Sequence, residues 1–248
     1  MATKKEKSLH EVRFPGESER YRHAREELLQ AEIELRRQIE SVAAQRRKLP
    51  MGGMVPHDYA FEEWDASTNG VRQVPLSELF EDGKDTLVLY SHMFNPDESG
   101  KPLMEACPSC TSIIDAIDGA APHITQRINF AVVAKAPLER FRAHAKSRGW
   151  RHARLLSSAN NTYNHDYHAE AQEQHSGDAS QDPMATVFAR RDGKIHHFWS
   201  SELYMVPSDA GQDMRHVDFM WPLWSVLDLT PDGRGAEWRP ELEYPARG

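Results

Sequence analysis

Cysteine is scarce in this chain, which has only Cys107 and Cys110 among its 248 residues. A disulfide scaffold and an all-cysteine structural zinc site both need more, so the count excludes them. Long apolar runs are also lacking, because no segment approaches the roughly 18–20 apolar residues that cross a bilayer. No apolar stretch follows the charged start Met1–Lys7. We therefore expect no membrane association and, without an export signal, a cytoplasmic protein.

Positive charge is in deficit, with 30 Lys and Arg residues against 38 Asp and Glu and a formal net charge of −8. A nucleic-acid-binding domain needs a basic surface, so this balance argues against a nucleic-acid partner. The pattern G-x-G-x-x-G, which holds the pyrophosphate of dinucleotides, follows none of the predicted strands. We therefore expect no flavin or nicotinamide, and no cofactor of any other kind.

The sequence pattern in the first fifth of the chain predicts a helical arm. Residues 18–47 contain no Gly or Pro, and Leu28, Leu35 and Val42 recur at intervals of seven, which is typical of an amphipathic helix. Pro50 ends this segment. We expect an arm over residues 1–50 and a second domain with a C-terminal tail over residues 51–248. The apolar stripe would suit a homodimer contact, and packing within the chain would satisfy it equally.

The second domain alternates strands and helices. Buried strands are predicted at Thr86–Tyr90, Ile128–Ala134 and Ala153–Ser157, separated by helices that begin near Cys107 and at Pro137. Three further elements are predicted downstream: two strands around the turn Asp192-Gly193, at Met184–Arg190 and Lys194–Ser200, and a last helix at Val217–Leu229. This order predicts an α/β domain with a central mixed sheet flanked by helices.

The two cysteines form the sequence Cys107-Pro-Ser-Cys110 at the point where a strand gives way to a helix. With Cys107 as N-cap, Pro108 takes the first helical position, where its missing N–H costs nothing. Ser109 and Cys110 complete the first turn. Residues three apart on a helix have Cβ atoms roughly 5–6 Å apart, so a disulfide can form with little adjustment. The helix N-terminus favours a thiolate, so Cys107 is predicted to attack and Cys110 to resolve the mixed disulfide.

His92 lies just upstream of the pair and is a candidate to stabilise the thiolate. Three other uses of the cysteines remain open: two inert buried thiols, a thiol peroxidase, and a redox- or zinc-dependent interaction module. Zinc would need two more ligands. The candidates for those ligands are His92, His165, Asp166, His168 and His175. The dithiol interpretation implies a disulfide-containing protein or a small thiol as substrate, with an external reductant.

Several further segments carry a resemblance to a known family. They are Arg46–Pro50, Asp58–Phe61, Leu76–Phe80, His92–Phe94 leading to Cys107-Pro-Ser-Cys110, Ala136–Leu138, Gly149-Trp150, Ser157-Ser158, Tyr163–Asp166, Val187-Phe188 with Asp192-Gly193, and Asp228–Arg234. With these, residues 20 to 238 resemble the predicted dithiol–disulfide oxidoreductases, a family long catalogued as a domain of unknown function. The resemblance implies a thioredoxin-like fold preceded by a long helical arm.

The resemblance also bears on residues away from the cysteines. Thioredoxin-like proteins commonly place a cis-proline beside the cysteine pair, and here Pro183 and Met184 fall at that position. The resemblance leaves open whether the bond before Pro183 is cis or whether the site is like that of peroxiredoxins, which lack a proline there. Tyr163 and Asp166 follow the third buried strand, and we expect them to line the cysteine site at the carboxyl ends of the strands.

Overall fold

A computed structural model describes residues 9–81, 83–95, 105–170, 181–210, 215–233, 235 and 238–244. Two of the sequence candidates, His175 and Arg234, lie outside these residues. The contacts between residues divide the chain into two units, Met1–Pro50 and Met51–Gly248.

The first unit contains one long helix, α1, at Glu19–Arg47. Its N-cap is Ser18, whose hydroxyl accepts a hydrogen bond from the backbone N–H of Tyr21 at 3.2 Å. On this helix, Leu28, Leu35 and Ile39 are 53%, 60% and 59% exposed. Of the helices in the described residues, α1 included, none combines the length and the apolar character that a bilayer span requires.

In the second unit, a sheet of seven strands runs through the described residues in the order β2-β1-β7-β6-β3-β8-β9. Its strands are β1 (Ala60–Asp65), β2 (Gly70–Pro75), β3 (Thr86–His92), β6 (Asn129–Ala134), β7 (Leu155–Ser157), β8 (Met184–Arg191) and β9 (Lys194–Ser200). A separate two-stranded ribbon pairs β4 (Phe94–Asn95) with β5 (Glu105–Ala106). The helices are α2 (Pro108–Ile117), α3 (Ala121–Ile124), α4 (Leu138–Arg148), α5 (Tyr163–Asp166) and α6 (Pro222–Leu227).

The centre of this sheet has the thioredoxin-like arrangement. Strand β3 leads through α2 to β6, which is parallel to β3. On the other side of β3 lies the hairpin β8–β9, and β8 is antiparallel to β3. β7 extends the sheet in parallel beside β6, and the hairpin β1–β2 joins it through the pair Glu62↔Ser157. The mixed α/β sheet predicted from the sequence is confirmed.

Alternation along β3 separates two cores on opposite faces of the sheet. Val88 and Tyr90 point into the core that contains both cysteines, beneath α2, α4 and α6. Leu87 and Leu89 point to the other core, which holds Tyr163 of α5. Successive side chains of a strand alternate between faces, so the two cores lie on opposite sides of the sheet.

One sequence expectation needs correction, and the question left open at Pro183 is answered. The helix predicted at Val217–Leu229 is a 3-10 segment, Arg215–Met220, with non-helical backbone at Val217, followed by the shorter α6. Pro222 explains the break, because a proline pushes the preceding residue out of the helical region and Trp221 has ψ 82°. The peptide bond before Pro183 is trans, since the described residues contain no cis bond.

Candidate active site

Cys107 is the N-cap of α2, and Pro108 occupies the first turn. The backbone N–H of Cys107 donates to the carbonyl of Met93 at 3.0 Å, which ties the start of the helix to the end of β3. The Cys107 sulfur accepts a bond from the backbone N–H of Cys110 at 3.5 Å. One unpaired N–H of the helix terminus therefore points at the Cys107 sulfur. The sequence predicts this arrangement, because Pro108 marks the first helical position and Cys110 lies one turn after Cys107.

The two thiols have opposite pKa shifts. A hydrogen bond from the Cys110 thiol, aided by the backbone N–H groups of Cys110 and Ser109, lowers the pKa of Cys107 to about 7, although burial opposes the change. Burial and the neighbouring Cys107 sulfur raise the pKa of Cys110 well above its ordinary value. Near pH 7 Cys107 is therefore partly ionised, while Cys110 keeps its proton and donates it to the Cys107 sulfur.

Both cysteines are free thiols and both are buried, with Cys107 6% and Cys110 1% exposed. Apolar residues of the first core surround them, including Phe94, Ala106 and Trp221. A thiolate in this position is shielded from water by its neighbours.

Two tyrosines lie beside the pair. The fully buried Tyr90 neighbours Cys110, and burial followed by the charge of Cys110 raises the pKa of the phenol. Tyr204 lies in a 3-10 turn, Glu202–Met205, and donates to Asp182 Oδ1 at 2.9 Å. Burial, Asp182 and then both cysteines raise its pKa. Neither tyrosine stands out in the sequence, because Tyr90 is part of an ordinary apolar strand pattern and Tyr204 lies in a segment without periodicity.

His92 is buried and neutral, which corrects its expected role. Burial, with a further contribution from His144, lowers the pKa of His92 to about 3. Its Nε2 lies 3.4 Å from the Thr111 hydroxyl, which is also 3.0 Å from His144 Nε2. The thiolate is stabilised by Cys110 and backbone N–H groups, so the neutral His92 is not the group that stabilises it.

Pro183 and Met184 are both buried at the start of β8. The Met184 sulfur accepts a bond from the Ser201 hydroxyl at 3.2 Å, and that oxygen accepts from the N–H of Ala185 at 3.0 Å. Ala185 packs in the core that contains the cysteines. The strand that carries Met184 thus borders the core of the pair.

Tyr163 and Asp166 lie elsewhere. Tyr163 is fully buried in the second core, and Asp166 accepts a bond from the Tyr59 hydroxyl at 2.8 Å. Both are on the face of the sheet opposite the cysteines, because α5 packs against that face. The structure therefore does not bring them to the cysteine pair, contrary to our expectation. Among the residues that the structure describes, no three His, Cys, Asp or Glu side chains come together to hold a metal ion.

Comparison with solved structures finds peroxiredoxins of low identity. Reduced Prx3 of Vibrio vulnificus, in complex with H2O2, has 10% identity and a TM-score of 0.44, covering 69% of this chain and 99% of that one. Peroxidoxin BcpB of Mycobacterium tuberculosis has 19% identity and a TM-score of 0.40, covering 70% and 94%. Peroxiredoxin Q of Xanthomonas campestris has 10% identity and a TM-score of 0.43, covering 60% and 84%.

These scores are too low to add to the fold assignment, which depends on the strand order and the strand directions. No curated protein matches the chain. A family model does, over residues 11–246, and its description is "Bacterial protein of unknown function (DUF899)". Since that match spans nearly the whole chain, the protein belongs to the DUF899 family.

Proposed function

We propose that this protein is a thiol redox enzyme in which Cys107 and Cys110 cycle between a dithiol and a disulfide. The observation that supports this most directly is the position of Cys107 as the N-cap of α2, where the backbone N–H of Cys110 donates to its sulfur at 3.5 Å. The opposite pKa shifts agree with this position, because they favour Cys107 as the nucleophile and Cys110 as the proton-bearing partner. Thiolates, not thiols, attack disulfides, so the pair has one group suited to each step.

With a disulfide substrate the reaction is a dithiol–disulfide exchange. The Cys107 thiolate attacks one substrate sulfur, forms a mixed disulfide and expels the other substrate sulfur as a thiolate. That thiolate takes a proton, and Cys110 then loses its own proton and attacks the Cys107 sulfur. The second substrate thiol leaves, and two electrons have passed from the enzyme to the substrate. An external thiol reductant returns the enzyme to the dithiol.

A second candidate is a thiol peroxidase, and the burial of the pair favours it. A cysteine residue that is only 6% exposed is more accessible to a small peroxide than to a disulfide held in a folded protein. The Cys107 thiolate would attack one peroxide oxygen, become a sulfenic acid and release the other oxygen as water or an alcohol. Cys110 would then condense with the sulfenic acid, release water and give the same disulfide.

A redox titration tests the shared part of both proposals. The full chain is equilibrated in graded glutathione and dithiothreitol buffers that together span the potentials of dithiol oxidoreductases, free thiols are trapped, and intact mass reports the state of the pair. We expect a single two-electron transition between roughly −120 and −270 mV, the range of known dithiol oxidoreductases. Cys107→Ser and Cys110→Ser should each abolish the transition. A wild-type chain whose thiols stay reduced in every buffer would contradict the proposal.

The choice of oxidant separates the two candidates. Cys110→Ser is mixed, in separate reactions, with hydrogen peroxide and with oxidised glutathione. Sulfenic acid formed much faster than on a free cysteine would identify the peroxidase, and a rapid mixed disulfide would identify the disulfide exchange. Cys107→Ser is the matched control in both reactions. Its remaining thiol, Cys110, has a raised pKa and should react slowly.

A further inference from the structure

The face of the sheet opposite the cysteines carries a cavity of about 440 Å³. This volume is within the range of small-molecule sites, which run from roughly 300 to 1,000 Å³. One wall of the cavity is formed by the residues that follow α5 in the chain, where His168 has a left-handed backbone with φ 56°. A non-glycine residue in that conformation carries strain, and such strain often marks functional sites. Here it lets Tyr167 and His168 both line the cavity.

One side of the cavity is built from an ionised carboxylate and neutral phenols. Although burial opposes the change, hydrogen bonds from Thr162, Tyr59 and His165 lower the pKa of Asp166. Burial raises the pKa of Tyr59 well above its ordinary value and that of Tyr167 to about 12. The Tyr59 hydroxyl donates its proton to Asp166 at 2.8 Å, so its own oxygen remains an acceptor towards a ligand.

A second carboxylate, Glu202, adds further acceptors, whereas the Ser200 hydroxyl is already paired with His197 Nε2 at 2.9 Å. His197 also lines this wall, and it is neutral near pH 7 because burial lowers its pKa, although Glu202 opposes the change. Within the described part of the chain, no lysine or arginine lines the cavity. The wall is therefore rich in acceptors and negative in charge, so it favours a cationic donor and disfavours an anion.

The remaining lining is apolar, with Met54, Pro56 and Met205. Methionine side chains adapt to apolar groups of varied shape. A ligand that satisfies both sides needs a positively charged donor at one end and a short hydrocarbon stem at the other. Small primary amines in their ammonium form have this chemistry.

We propose that the cavity beside Tyr59, Asp166, Tyr167 and Glu202 binds a small aliphatic amine as its ammonium ion. The ammonium group donates to the two carboxylates and the phenol oxygens, and the stem lies against Met54, Pro56 and Met205. This site goes beyond the redox function and is separate from the cysteines, which lie on the other face of the sheet.

Calorimetric titration of the full chain with pentylamine tests the proposal. We expect saturable binding of one amine per chain, and no binding of pentanol or pentanoate, which keep the stem but lack the positive charge. Glu202→Gln should weaken pentylamine binding about tenfold, the loss of one charge-assisted hydrogen bond. Glu202 is exposed, so this variant should fold. Tyr167→Phe tests the phenol oxygen in the same way.

Glu27→Gln is the matched control, since it removes one charge from an exposed site on α1. Binding that weakens equally in Glu27→Gln and Glu202→Gln would reflect net charge alone and would overturn the proposal. The absence of saturable pentylamine binding up to roughly millimolar concentrations would overturn it as well. Equal affinity for pentanol would show an apolar pocket without ammonium recognition, which is also inconsistent with the proposal.

Discussion

Replacing Cys110 by Ala should raise the pKa of Cys107 and leave the rest of α2 in place. The pKa of Cys107 falls from an ordinary 9.0 to about 7, and the hydrogen bond from the Cys110 thiol is the largest cause. Two pKa units correspond to about 2.7 kcal/mol of preference for the thiolate. The backbone N–H groups of residues 109 and 110 remain in the variant. They still favour the thiolate while burial still opposes it, so we expect the pKa of Cys107 to rise above about 8.

The assay is the rate of iodoacetamide alkylation of Cys107 across pH, followed by intact mass. The midpoint of the pH profile is the informative quantity, because a more basic thiolate is also a better nucleophile. With a Brønsted slope of about 0.4–0.5, a rise of one and a half pKa units increases the plateau rate roughly fivefold. A rate measured at pH 7 alone would mix this gain with the loss of thiolate and underestimate the shift.

Cys110→Ser is the control, because its hydroxyl still donates a hydrogen bond to the Cys107 sulfur. Its midpoint should lie between those of the wild type and Cys110→Ala. If Cys107 in the alanine variant still titrates at about 7, the helix terminus alone stabilises the thiolate, and our assignment of the main cause to Cys110 is wrong.

Three further predictions concern the surroundings of the pair. Tyr90 lowers the pKa of Cys110, so Tyr90→Phe should slow the resolving step and let mixed disulfide accumulate in rapid-quench experiments; an unchanged rate would refute this role. Folded His92 has a pKa of about 3 against 6.5 for the free side chain. The stability that the buried neutral side chain contributes is therefore fully present above pH 6.5 and is lost as the pH falls toward 3. His92→Gln should reduce the loss of unfolding free energy between pH 7 and pH 5, measured by urea unfolding, by about 2 kcal/mol. Asp118 accepts bonds from the N–H groups of residues 151–153 at 2.8–3.1 Å, so Asp118→Ala should cost about 3 kcal/mol and Asp118→Asn less.

Local chemistry made much of the fold predictable. Asp192 and Gly193 have φ of 51° and 74°, as the two-residue turn of a hairpin requires, and the predicted strands on either side form β8 and β9. Gly149, with φ 76°, ends α4 in the left-handed conformation that glycine adopts at helix C-termini. The prediction of one last helix was wrong because the effect of Pro222 on Trp221 outweighs the apolar periodicity.

The site was only partly predictable, for a reason of geometry. Cys107 and Cys110 belong to one helical turn, so their sequence spacing places them together. Tyr163 and Asp166 reach the site or miss it according to the face on which α5 packs, and sequence periodicity does not determine that face. His92 was predicted near the pair, but its charge depends on burial by residues far away in the chain, such as His144.

The turn Glu202–Met205 carries both cavity-lining residues and a tyrosine whose pKa depends on the cysteines. Glu202 and Met205 line the cavity, and Tyr204 in the same turn interacts with both cysteines. Thermodynamic reciprocity then applies: a compound that prefers the cavity of the dithiol form must raise the midpoint potential of the cysteine pair by the same free energy. A tenfold preference corresponds to about 30 mV. The midpoint potential of the buried cysteine pair would therefore depend on the concentration of a compound that does not contact either sulfur.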